Sequence, residues 1–212
     1  MVEKIFSNLD ATIFLCMVNH KRITDRMLPH ESIAETLPIG ASIKQQQRAS
    51  AKQQAFQFMA QLAKRKCFEE NLGKFSVSHS RDYTVLLASY SPDVLSCGVD
   101  IETFDTSRRI RPFLREYLTR CSCTFECKFS PLLLSIILFC CMESVYKMLS
   151  AFQLMTFSID DYHLKNFSEN WCEFTFVGSQ AEIKGNVFRC RYFQFDGTIV
   201  AKTLIDSQFI SI

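Results

Sequence analysis

The pentapeptide GVDIE, Gly98 to Glu102, carries two carboxylates two positions apart. In an extended strand alternate side chains share a face, so Asp100 and Glu102 project together while Val99 and Ile101 face the other way. Two carboxylates on one strand face repel each other unless a cation lies between them. Mg2+ is such a cation, since it takes a few carboxylates together with water and phosphate oxygens. A strand running out to solvent accounts for the same pair without a metal. A third acid, Glu143, stands in FCCMESVYKML (139–149), with Lys147 four residues on and therefore on the same helix face. The most apolar run of the chain precedes it, which argues against a freely exposed face. If that helix packs beside GVDIE, three carboxylates converge on one cation, and Lys147 sits next to whatever anion the metal holds. Otherwise Glu143 and Lys147 form an ordinary helix pair, worth roughly a few tenths of a kcal/mol.

A third element is SVSHS (76–80). Ser78, His79 and Ser80 fall at a strand end before a turn, where side chains and backbone N–H groups can meet a phosphate. A lone histidine in a strand is more often structural. The chain has no G-x-x-x-x-G-K loop, no G-x-G-x-x-G and no G-x-S-x-G nucleophile setting. CSCTFEC, with Cys121, Cys123 and Cys127, could ligate zinc, but its spacing is not a pair of C-x-x-C knuckles and no histidine lies nearby. A zinc-stabilised interaction module is the reading that this cluster alone would support.

These residues need elements to position them. IFLCMV (13–18) reads as a buried strand within an N-terminal stretch of strand pieces and loops. From Ser42 to about Glu69 there is no Gly or Pro. Phe56, Met59, Ala60, Ala63 and Cys67 recur there at helical spacing, with Lys44, Arg48, Lys52, Lys64, Arg65 and Lys66 on the polar side. KFSVSHS, YTVLLAS and VLSCGVDIETF follow as strands separated by the turns RD and SPD. A helix is expected after Pro112 and a buried one over 132–150. Strands follow to the end, with Asp196-Gly197 as a hairpin turn. YTVLLAS overlays on GTIVAKT with Thr84 on Thr198. The order favours an α+β pseudo-dimer of two similar halves, 1–104 and 105–212, each a long helix on a small, mainly antiparallel sheet.

The 212 residues suffice for one large domain or two small ones. Hydrophobic residues make up 48% and charged residues 22%, as in an ordinary globular protein. A net charge of +2 gives no bulk argument for a nucleic-acid partner or an anionic membrane. The longest apolar run, 131–142, is shorter than the roughly 20 residues that span a bilayer, so no stable membrane insertion is expected. Asp10 interrupts the N-terminal apolar run and no small-residue cleavage site follows. A reducing cytoplasm is therefore expected, with most of the ten cysteines acting as small buried hydrophobes.

SVSHS, then GVDIE, then MESVYK, in this order, resembles the motif series of the 4′-phosphopantetheinyl transferases, in particular the monomeric type that serves siderophore and peptide synthetases. The match covers residues 73–149. The resemblance implies a cytoplasmic, monomeric, Mg2+-dependent transferase with its active site between the halves. Such an enzyme moves the phosphopantetheine arm of coenzyme A to a serine of an acyl or peptidyl carrier protein and releases adenosine 3′,5′-bisphosphate. It implies that Asp100, Glu102 and Glu143 hold the metal, that Glu143 is the base for the incoming serine, and that Lys147 stabilises phosphate charge. Ser78 and His79 would contact coenzyme A phosphate, with Arg48 and Lys52 gripping the nucleotide from the basic helix. The carrier would dock near 108–128, where Arg108, Arg109, Arg111 and Arg115 could meet an acidic helix. The chain departs from the family at Met142, where a lysine is usual, so a weakened member that binds coenzyme A or a carrier without turnover is the alternative. Lys128 or Arg109 could supply the missing charge.

Overall fold

The computed structural model describes residues 2–7, 13–22, 42–65, 73–105, 112–121, 128–152 and 156–206. The chain is α+β, with two antiparallel sheets and three helices among the described residues. It divides into two compact units: residues up to Cys97 together with Asp206, and Gly98–Ile205. The division falls inside one strand, a few residues before the boundary expected at 104.

In the first unit, β1 (Val2–Ser7), β2 (Ile13–Asn19), β3 (Lys74–His79) and β4 (Tyr83–Ser89) form a sheet in the order β1-β2-β4-β3. β3 and β4 make a hairpin in which His79 lies opposite Thr84 and Ser78 opposite Val85. On the other side of β4, Val18 of β2 is also opposite Thr84. Helix α1 (Ile43–Arg65) opens on a capping box, in which the Ser42 hydroxyl accepts from Gln45 N and the Gln45 carboxamide oxygen accepts from Ser42 N. Ala51, Ala55 and Met59 line its buried stripe and pack on Phe14, Cys16, Val18, Leu86 and Ala88. Small residues at two of the three stripe positions let the helix lie close to the sheet. Ala60, expected on the apolar face, is exposed; Phe56, Phe58 and Leu62 flank the stripe instead. The side chain of Ala63, and Cys67, lie outside the described residues.

The second unit begins within β5 (Val94–Thr103), followed by α2 (Pro112–Cys121) and α3 (Pro131–Leu149). β6 (Tyr162–Phe167), β7 (Trp171–Phe176), β8 (Val187–Phe195) and β9 (Thr198–Asp206) form a meander, and β5 joins beside β9. β7 and β8 alternate: Cys172, Phe174 and Phe176, then Phe188, Cys190 and Tyr192, point inward and are buried. Glu173 and Arg189 point outward, where Arg189 grips Glu173 at 2.6 Å and lies over the Trp171 ring. That is the pattern of an antiparallel sheet with one face on the core and one in water. The Asp196-Gly197 turn has positive φ at both residues, +44° and +67°, as the tight hairpin between β8 and β9 requires.

Helix α3 packs on the inner face of this sheet. The Ser130 hydroxyl caps it and Pro131 fills its first turn. By length and composition it could cross a bilayer, but 61% of its apolar window is buried within the protein, where a core helix spends its apolar surface. Cys16, Cys97, Cys140, Cys141, Cys172 and Cys190 are free and buried, as small hydrophobes would be. Burial pushes the thiols of Cys16 and Cys97 up to about 12, so they are inert. Cys123 and Cys127 of the proposed zinc cluster lie outside the described residues.

Candidate functional site

Gly98 explains how two motifs far apart in sequence come to meet within the second unit. A Cβ at this position would lie 1.8 Å from the Ser144 carbonyl oxygen and 2.7 Å from Met148 N. Only glycine lets β5 pass so near the backbone of α3. Ser144 fixes the same helix from its other neighbours: its hydroxyl lies 2.7 Å from Thr203 Oγ1 and 3.1 Å from Cys190 Sγ, on β9 and β8. The strand and the helix are thus locked together one turn before Lys147.

The consequence is an ion-pair cluster. Asp100 is buried, 3% exposed, and therefore does not belong to a strand end running out to solvent. Lys147 Nζ donates to Asp100 Oδ1 at 2.6 Å and lies 3.7 Å from Glu143 Oε2. One ammonium thus serves two carboxylates, one from each motif. Cys140 lies beneath the cluster, its thiol directed to the Ile199 carbonyl. Burial pushes that thiol well above its usual range, and the charges of Asp100 and Glu102 push it further. Glu102 is half-buried on the same strand face as Asp100. Among the described residues, no group of three or more His, Cys, Asp or Glu side chains is gathered closely enough to hold a metal ion. The three carboxylates are therefore not assembled as a ready triad, because Lys147 occupies the place between two of them. The donor chemistry still suits Mg2+, since Asp100 and Glu143 are hard oxygen ligands that already share one cation.

The other predicted residues belong to the first unit. Arg48 continues the α1 stripe toward its N-terminus, at the helical spacing that places Ala51 and Ala55 on the sheet. Its Nη2 donates to the Ser80 carbonyl at 3.3 Å. Among the described residues, neither Arg48 Nε nor the buried Ser80 hydroxyl has a hydrogen-bond partner. Buried donors left in this state mark a place where a ligand or ion can be accepted. Ser78 is buried on β3, and His79 Nδ1 lies 2.8 Å from Thr84 Oγ1. Lys52, one turn beyond Arg48, is exposed. No family model and no curated protein matches the chain.

The structure changes several expectations. Met142 is fully buried in the core of α3, so position 142 presents nothing to the carboxylate cluster. Lys128 is on the surface, 3.9 Å from Glu169, with both side chains largely exposed. Arg115 is exposed on α2, while Arg108, Arg109 and Arg111 lie outside the described residues. Sequence reasoning missed Gly98 as a packing residue, Ser144 as a bridge, Cys140 beneath the acids, and His20. His20 Nε2 lies 2.9 Å from Thr84 Oγ1, although the two are 64 positions apart. No local pattern announces such a contact.

Proposed function

We propose that this protein transfers the 4′-phosphopantetheine arm of coenzyme A to a serine of an acyl or peptidyl carrier protein, with Mg2+, releasing adenosine 3′,5′-bisphosphate. The observation that carries the reading is the meeting of Asp100 and Glu143 on the single ammonium of Lys147. A buried acid is rare unless it is paired, and here its partner Lys147 is shared with the acid of the second motif. The reading includes a doubled architecture with one active site shared by two similar halves. In its support, each unit sets a strand that follows its long helix beside the strand that precedes that helix, β4 on β2 and β9 on β5.

Mg2+ held by Asp100, Glu102 and Glu143 would neutralise charge on the diphosphate of coenzyme A. The protein's own groups do the rest. Glu143, more accessible than Asp100, takes the proton of the carrier serine. The serine oxygen bonds to phosphorus as the bond to the oxygen of adenosine 3′,5′-bisphosphate breaks. Lys147 gives up one of its two carboxylates and turns its charge to the phosphate oxygens, which carry the charge of the transition state. Arg48, Ser78, His79 and Ser80 take the nucleotide phosphates, and Lys52 adds positive charge at the exposed side. The expected protein is a cytoplasmic monomer whose acidic carrier docks on the basic approach to α2. The alternative, a binder without turnover, rested on Met142, and its burial removes that support.

The test is to incubate the protein with coenzyme A, Mg2+ and a panel of apo carrier proteins and to quantify adenosine 3′,5′-bisphosphate by chromatography. Release that requires both a carrier and Mg2+ supports the assignment. Absence of release with every carrier refutes it.

A further inference from the structure

Two imidazoles flank one hydroxyl at the end of the first sheet. Thr84 Oγ1 lies 2.9 Å from His20 Nε2 and 2.8 Å from His79 Nδ1. A threonine hydroxyl has one proton to give, so at most one of these contacts uses it. The outer end of the chain decides which. His20 Nδ1 lies 3.2 Å from the Arg81 carbonyl, which can only accept, so that nitrogen carries a proton.

His20 is 3% exposed, and the charged groups around it are Lys44 and Arg48 from α1 and Asp82 from the β3–β4 turn. Asp82 is itself engaged by Lys21 at 3.3 Å. Burial holds the His20 imidazolium below its usual range, and the two cations add to this against Asp82 and the carbonyl. His20 is therefore neutral, and its Nε2 has a lone pair that accepts the Thr84 proton. Thr84 has then spent its only proton and must accept from His79. The Nδ1 of His79 is the donor, and in the neutral ring its Nε2 carries no hydrogen. Free imidazole side chains in water prefer the opposite tautomer, so the chain of contacts reverses an ordinary preference.

We infer that His20 is a positioning residue that acts through Thr84 to hold the His79 proton on Nδ1, so that His79 can meet an anionic oxygen through Nε2 only by taking up a proton. The relay itself stands on the contacts above. Its ligand, a phosphate group of coenzyme A, rests on the function proposed in the preceding subsection. Under that reading nucleotide binding and proton uptake are linked. Affinity is greatest where His79 is already protonated in the free protein and falls as pH rises beyond that range.

Long-range proton–nitrogen NMR on protein labelled with nitrogen-15 histidine reads the tautomer directly. In its neutral form the His79 ring of the wild type is expected to show a protonated Nδ1 and an unprotonated Nε2. In Thr84→Val and His20→Phe the Nε2 resonance should move toward the protonated range, and Thr84→Ser, which keeps the hydroxyl, should restore the wild-type pattern. A wild-type His79 protonated on Nε2 alone, or a pattern unchanged in Thr84→Val, overturns the relay. Titration of adenosine 3′,5′-bisphosphate by calorimetry, in buffers of different ionisation heat, then reads the linkage. About one proton should be taken up per nucleotide at alkaline pH by the wild type, and less than half as many by Thr84→Val. Equal uptake by both proteins overturns the linkage. Failure of the nucleotide to bind at all refutes the coenzyme A reading instead, and the NMR result then judges the relay by itself.

Discussion

The Lys147 ammonium is the residue on which the site turns. Its partner Asp100 has a side chain only 5% exposed, so the carboxylate has little water to fall back on. Removing one member of a buried pair leaves the other charge uncompensated and costs about 3 kcal/mol. Lys147→Gln should therefore lower stability by about that amount in chelator, measured by urea denaturation. Added Mg2+ should recover more of the loss in the variant than it adds to wild type, because the competing cation is gone. Equal Mg2+ responses would show that Lys147 and the metal do not share a place. Met142 makes the converse case. A lysine at this fully buried position strands a charge in the core. Met142→Lys should destabilise the protein by several kcal/mol, on the order of other buried-charge substitutions, without raising any rate of transfer. A stable, faster variant would return position 142 to the active site.

At the scale of elements, the close approach of β5 to α3 is what joins the two motifs. Gly98→Ala would press a methyl group into the Ser144 carbonyl and force the strand from the helix. The expected cost is at least about 3 kcal/mol, at the upper end of overpacking, and thermal denaturation should show it. A near-neutral change would mean that the two backbones separate freely, and the site would then lack its frame. Most of these elements could be read from the sequence. β3, β4 and β5 fall on KFSVSHS, YTVLLAS and VLSCGVDIETF, and α2 starts at Pro112, because turn chemistry and strand periodicity are local signals. The α1 stripe departs from the expected spacing: it runs through Ala51 and Ala55 rather than Ala60. Alanines carry little hydropathy contrast, so close packing on a sheet leaves a weak periodic trace. The His20–Thr84–His79 relay could not be read at all, since the strand register that brings His20 to Thr84 is set by the assembled sheet.

For the molecule as a whole, each unit has an antiparallel sheet and a long helix, and each holds one part of the proposed machinery. Among the described residues, the first carries a half-buried arginine and a buried serine with unsatisfied donors, and the second carries carboxylates gathered on a lysine. The most direct measurement of the account is the intact mass of an apo carrier protein after incubation with coenzyme A, Mg2+ and either wild type or Asp100→Ala. The account predicts that wild type adds one phosphopantetheine arm to the carrier serine and that Asp100→Ala adds none. An unmodified carrier with wild type, or equal modification by both proteins, would contradict it.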